Sequence, residues 1–256
     1  MSDDWDFYLC LVDSNPASIF LDLGVAQEAP DKRYPIMAHV RLYMRYPRED
    51  GLSSSAEFET LTSIEDVLVR QLISEEAATF VGRNTSDGCR DFYFYCRSEV
   101  GWEARVEDAM AAFSDYKFDS GTRPDSDWRT YFDFLFPRDR DLQSIQNRRV
   151  CETLRRNGDS LITAREIDHW AYFNTEDARE RFIESVAKLG FAVRSRLDSG
   201  QADDRRYGVQ IFRTDAPDFS TIDQITWPLF EAAAEVGGEY DGWESVVVAS
   251  DDAGAQ

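Results

Sequence analysis

Apolar and polar side chains change their spacing several times along the 256 residues, and each change predicts an element. In the second half, "EIDHWAYF" (166–173) is rich in Ile, Trp, Tyr and Phe and reads as a strand. Asn174 or Thr175 can cap the following "EDARERFIESVAKLG", where Phe182, Val186 and Leu189 recur at helical spacing and Gly190 supplies the stop. Strands are expected at Phe191–Leu197 and Tyr207–Thr214, joined by the polar loop "DSGQADDRR". A second helix near Ser220–Val236 ends at Gly237-Gly238, and "EYDGWESVVV" closes the series. The order is β-α-β-β-α-β, a split βαβ arrangement.

The first half repeats that order. Ile36–Tyr46 reads as a strand, Ala56–Leu72 as a helix, and Thr79–Asn84 with Arg90–Arg97 as a hairpin around Ser86-Asp87-Gly88. Trp102–Phe113 follows as a helix and Trp128–Phe136, "WRTYFDFLF", as the closing strand, with extra strands ahead at Trp5–Val12 and Ser18–Leu23. The expected fold is α+β: two tandem ferredoxin-like (βαββαβ) sandwiches, the first with two extra N-terminal strands. Between them, Leu142, Ile145, Val150 and Leu154 are loosely helical in spacing, and Asn157-Gly158-Asp159 is a stop signal. The expected division is an α+β domain over 1–137, a linker helix over 138–159, a second domain over 160–249 and a disordered tail over 250–256.

Composition narrows the class. With 43% hydrophobic and 13% aromatic residues, the chain can bury proper cores. Its net charge of −21 repels nucleic-acid phosphates and anionic lipid, and suits basic partners or simple solubility. Cys10, Cys89, Cys96 and Cys151 show neither CxxC pairing nor metal-ligand spacing, as expected of free thiols in a reducing compartment. The acidic start "MSDDWD" lacks signal-peptide character, and the apolar runs are too short for a membrane span. The expectation is a cytoplasmic protein that does not engage a membrane.

Asp168 beside His169 raises the question of acid–base chemistry. Neighbours on a strand point to opposite faces, so the two cannot pair. His169 shares a face with Ile167, Ala171 and Phe173 and reads as a structural histidine; His39, in "MAHVRLY", reads the same way. GxSxG, HExxH, P-loop and GxGxxG motifs are missing, so no catalytic, cofactor or metal residue is singled out. The many carboxylates leave one alternative open, an enzyme or small-ligand binder with a carboxylate-lined site between the two domains. RNA binding fares worse. The third strand "RRYGVQIF" carries Val209 where an RNA-recognition motif needs a second stacking aromatic, each stacked base being worth about 1–3 kcal/mol. Asp168 would repel phosphate nearby, so no direct nucleic-acid contact is expected.

The face opposite His169 needs a purpose. Alternation groups Asp168, Trp170 and Tyr172 with Arg194 and Arg196 on the second strand, and with Gln210 and Phe212 on the third. Aromatic anchors among arginine and carboxylate are the composition of a protein-contact surface. A protein partner, the first half of the chain, or a second copy in a homodimer could each cover it. In Tyr240-Asp241-Gly242-Trp243 the glycine suggests a bulge or close approach, Asp241 can hold neighbouring backbone, and Trp243 packs on the sheet, so the tetrad reads as fold-defining.

"EIDHWAYF", the helix ending "LGF" and above all "GGEYDGWES" resemble the ribonuclease E inhibitor B (RraB) family over about residues 155–248. The matching family positions here are His169 on the first strand and Tyr240, Asp241, Gly242 and Trp243 on the last. The first half, with "VGRNTSDGCRDFYFY", resembles a domain family of unknown function often joined to that module. The resemblance implies a βαββαβ fold and a non-enzymatic regulator of RNA metabolism. It would act by protein contact, binding the basic, disordered region of ribonuclease E and slowing RNA decay. An acidic domain independently suits such a basic partner.

Overall fold

A computed structural model describes residues 2, 4–73, 77–198 and 206–249. It is a mixed α+β structure in which the chain divides into two units, Met1–Arg138 and Asp139–Gln256, each considered by itself. The tail expected over 250–256 and the centre of the polar loop, 199–205, lie outside the described residues.

The first unit runs β1 (Trp5–Val12), β2 (Asn15–Asp22), β3 (Ile36–Tyr43), α1 (Phe58–Leu72), β4 (Ala78–Ser86), β5 (Cys89–Cys96), α2 (Trp102–Met110) and β6 (Lys117–Pro124). These strands form an antiparallel sheet in the order β1-β2-β4-β5-β3-β6. Leu61, Ile64, Leu68 and Leu72 recur at helical spacing along α1 and bury one stripe against Val40, Leu42, Phe92 and Phe94 of the sheet.

The closing strand differs from expectation. "WRTYFDFLF" is not a strand: Thr130–Leu135 is a π-helical turn. Trp128, Tyr131 and Leu135 are three and four residues apart, which lines them along one helical side, and all three are buried. The segment covers the sheet face turned away from α1 and α2. Trp128 stacks on Tyr95 at 3.9 Å, the Tyr131 hydroxyl donates to the Asp22 carbonyl at 2.7 Å, and Tyr8 donates to the Leu135 carbonyl at 3.0 Å. Asp125 fixes its start by accepting the amides of Arg129 and Thr130 at 2.8 and 2.9 Å. The strand that closes the sheet is β6, "KFDSGTRP", whose one large apolar residue, Phe118, is little signal for a strand. As an edge strand paired only with β3, it needs no apolar alternation.

The second unit runs α3 (Asp139–Arg156), β7 (Arg165–Phe173), α4 (Glu176–Ala187), β8 (Ala192–Asp198), β9 (Tyr207–Asp215), α5 (Ile222–Glu235) and β10 (Glu239–Glu244). Its antiparallel sheet has the order β10-β7-β9-β8. Thr175 is the residue that caps α4, accepting the Ala178 amide at 3.2 Å. The helix expected as a linker is α3, and it belongs to this unit. Cys151 and Leu154 lie in one core with Ile167, Phe173, Phe182, Val209, Leu229, Tyr240 and Trp243. Its arginine-rich composition resembled a linker because only one stripe of the helix faces inward. The chain after α3 is clamped as well. Arg165 pairs with buried Asp159 at 2.6 Å and donates to Ser245 at 2.7 Å, while Asp159 also accepts the Val248 amide at 2.8 Å.

Candidate functional site

β7 sorts its side chains by alternation. Arg165, Ile167, His169, Ala171 and Phe173 are buried towards the helices. Asp168, Trp170 and Tyr172 lie half-buried on the other side, with Glu166 exposed beside them. Asp168 and His169 are therefore on opposite faces and form no catalytic pair.

His169 is sealed in the core. Its Nδ1 lies 2.8 Å from the Tyr240 hydroxyl, and its ring meets Phe191 edge-on at 5.4 Å. Nε2 is buried without a hydrogen-bond partner among the described residues. Burial pushes the imidazole down to about 3, with Arg213 adding to the effect, so His169 is neutral at pH 7. The Tyr240 phenol is pushed well above its ordinary value by burial and keeps its proton. A histidine in this setting has no route to a substrate proton.

The tetrad Tyr240–Trp243 explains how β10 meets that core. Residues three apart on a regular strand face opposite ways, yet Tyr240 and Trp243 are both buried. A bulge reconciles them: the ladder to β7 shifts between Tyr240 and Gly242, leaving Asp241 as the extra residue. Gly242 takes φ +124, which a side chain would resist. Trp243 then donates from Nε1 to Asn147 Oδ1 on α3 at 2.9 Å, while the Asn147 amide reaches Asp223 and Thr226 of α5, each at 2.7 Å. Asn147 escaped sequence reasoning because a polar residue among the arginines of α3 looks like surface.

The open face is built from three strands and completed by a fourth. Glu166, Asp168, Trp170 and Tyr172 come from β7, and Gln210 and Phe212 from β9. On β10, Glu239 stands opposite Tyr172 and Glu244 opposite Asp168. Gly208 makes room for Tyr172, since a Cβ there would lie 3.0 Å from its ring. Arg194 of β8 crosses the centre. Its Nε donates to Asp168 Oδ1 at 2.5 Å, its Nη2 to Glu166 Oε2 at 2.6 Å, and its guanidinium lies 4.2 Å from the centre of the Phe212 ring. Glu166 was legible in the alternation, two positions before Asp168.

Arg196 departs from the expected face. β8 carries a bulge of its own between Val193 and Ser195, with Arg194 as the extra residue. Downstream of it the faces reverse: Ser195 pairs with Gln210, and Arg196 with the buried Val209. Arg196 therefore points to the helix layer and donates twice to Glu180 of α4, at 2.9 and 2.8 Å. The Arg196 hydrogen bonds hold the Glu180 carboxyl down to about 2. Of the residues expected together, Asp168, Trp170, Tyr172, Arg194 and Phe212 share the open face, and Arg196 does not.

This face offers stacking rings, carboxylate acceptors and one paired guanidinium, the means of binding. Among the described residues no group of three or more His, Cys, Asp or Glu is arranged to hold a metal. No described helix is long and apolar enough to cross a membrane.

In the second half of the chain, residues 144–245 match the model for regulator of ribonuclease activity B. The chain belongs to a family of unknown function (DUF695), whose model matches residues 3–136, more than half its length. The first of these matches begins inside α3, in keeping with that helix's place in the second core. Comparison with curated proteins gives no match. Among solved structures, an unknown protein from Galdieria sulphuraria is 13% identical, with 84% of this chain and 99% of that one covered and a TM-score of 0.24. A proposed glycine cleavage system transcriptional repressor is 9% identical, with 82% and 98% covered and a TM-score of 0.23. At these TM-scores neither likeness carries an argument.

Proposed function

We propose that the chain is a non-enzymatic regulator that binds a protein partner through the open face of its second sheet. The candidate partner is ribonuclease E, or another basic protein, with RNA decay slowed as the result. The observation that carries this reading is the division of labour across β7. His169 is consumed by the core, whereas Asp168, Trp170 and Tyr172 are turned out beside Glu166, Arg194 and Phe212. Aromatic side chains beside charged ones are the usual carriers of binding energy in protein contacts. The strand edges support a face-on contact, because β8 and β10 each carry a bulge, a feature that hinders the addition of a further strand. The match to regulator of ribonuclease activity B supports the partner class, and the net charge of −21 supports a basic partner. A ferredoxin-like assignment for each unit rests on the strand order. Counting β7 to β10 as one to four, the second sheet reads 4-1-3-2, and β3 to β6 repeat that order in the first.

The test is association of the full chain with ribonuclease E that carries, or lacks, its basic disordered region. Binding at low salt that needs this region, weakens with added salt and falls with Trp170→Ala is the expected outcome. No association at low salt removes this partner, and a tightly held small molecule in the purified protein removes the class. If light scattering gives a dimer that Trp170→Ala dissociates, a second copy is the occupant of the face.

A further inference from the structure

Arg194 is placed as a ligand is placed. Its guanidinium carbon lies over the Phe212 ring, 4.2 Å from the ring centre, and its nitrogens meet two carboxylates, Asp168 at 2.5 Å and Glu166 at 2.6 Å. Ring stacking with carboxylates at the edge is how a protein recognises a guanidinium. Here the guanidinium comes from the chain's own bulge on edge strand β8. We propose that Arg194 is an internal occupant of a guanidinium site, and that an arginine from a basic partner segment binds by displacing it. This rests on reading the open face as the contact surface.

Three features make Arg194 displaceable. Arg194 and Glu166 are exposed, so water and salt screen their pairing and little holds it. Arg194 is the extra residue of the bulge and has no residue directly opposite it on β9, so no cross-strand side-chain pair is lost when it swings away. The surroundings favour an incoming cation: Glu166, Asp168 and Glu244, which stands opposite Asp168, outnumber the one guanidinium among them. The contrast lies two residues on. Arg196 also pairs with a glutamate, but on the helix side, where it ties β8 to Glu180 beside the buried Arg179. That pair belongs to the fold. Arginine suits the vacated site better than lysine, because only a planar fork can stack on Phe212 and bond both carboxylates at once.

The test is calorimetric titration of the full chain with hexa-arginine and with hexalysine at low salt. Arg194→Ala should tighten hexa-arginine several-fold, while Arg196→Ala, which removes the same charge, should not. Glu166→Gln with Asp168→Asn should weaken hexa-arginine more than hexalysine, with thermal melts checking that each variant is folded. Equal tightening by Arg194→Ala and Arg196→Ala overturns the displacement, because net charge alone then accounts for it. If the two carboxylate substitutions weaken binding while Arg194→Ala fails to strengthen it, the face stands and internal occupancy falls. If those carboxylate substitutions change nothing, or hexa-arginine does not bind, the contact-face reading falls with it.

Discussion

The Tyr240 hydroxyl lies 2.8 Å from Nδ1 of His169, and both side chains are buried. Because Nε2 of His169 has no partner among the described residues, this bond is the imidazole's one polar contact there. Tyr240→Phe strands both nitrogens in the core and should cost about 1–3 kcal/mol, the penalty of an unsatisfied buried polar group. His169→Leu leaves the phenol in the same position. The double variant removes both groups and should cost less than the two single losses combined. Urea unfolding of the four proteins measures this, and strictly additive losses would show that the pair is not coupled.

The same burial gives stability a pH dependence. Desolvation holds His169 down to about 3 in the folded protein, whereas an exposed imidazole titrates near 6.5. Between these values the unfolded chain takes up a proton that the folded chain refuses. Stability is therefore intact above the unfolded value and lost as pH falls, by up to about 1.4 kcal/mol per pH unit from this group. His169→Leu should show a shallower loss than the natural chain when unfolding free energies are compared at pH 7.5 and 5.5. Parallel losses in the two proteins would falsify this assignment.

Strict alternation made β7 readable from its sequence, including the separation of Asp168 from His169 and the grouping of Trp170 with Tyr172. It failed where a strand gains a residue. In "FAVRSRLD" nothing announces the bulge at Arg194, so Arg196 was placed with the open face although it bonds Glu180 behind the sheet. Gly242 did announce the bulge in β10, because a glycine inside a strand marks an unusual turn of the backbone. In the first unit the aromatic content of "WRTYFDFLF" outweighed its helical spacing, and β6 hid behind polar residues. The inward stripe of α3 was correctly helical, but its length and arginines concealed the buried Asn147.

The β10 bulge yields a sharper prediction. Gly242→Ala must hold a side chain at φ +124 and should cost about 1–3 kcal/mol. Deleting Asp241 should cost less, because it leaves Tyr240 and Trp243 two residues apart, so that regular alternation keeps Trp243 in the core with its 2.9 Å bond to Asn147. Deleting Asp241 and Gly242 together makes Tyr240 and Trp243 neighbours and turns Trp243 out, and losing a buried aromatic on that scale costs about 3–5 kcal/mol. Thermal unfolding ranks the three variants, and a red shift in tryptophan emission in the double deletion that disappears in a Trp243→Phe background locates the change. A double deletion as mild as the loss of Asp241 alone would mean that alternation along β10 does not set the facing of Trp243.

The place of α3 decides where the second unit can be cut. A fragment beginning at Asp139 keeps Cys151, Leu154 and the Asn147 bonds to Trp243, Asp223 and Thr226. A fragment beginning at Ser160 loses all of them and bares the core beneath. Removing one large aliphatic side chain from a core costs about 2–5 kcal/mol, against a total stability of about 5–15 kcal/mol for an ordinary domain. The Trp243 indole loses its hydrogen bond to Asn147 as well. Fragment 139–256 should therefore unfold cooperatively in urea, while 160–256 should show no sigmoidal transition and should bind a hydrophobic dye. Cooperative unfolding of 160–256 at a similar urea midpoint would reduce α3 to the linker that its composition first suggested.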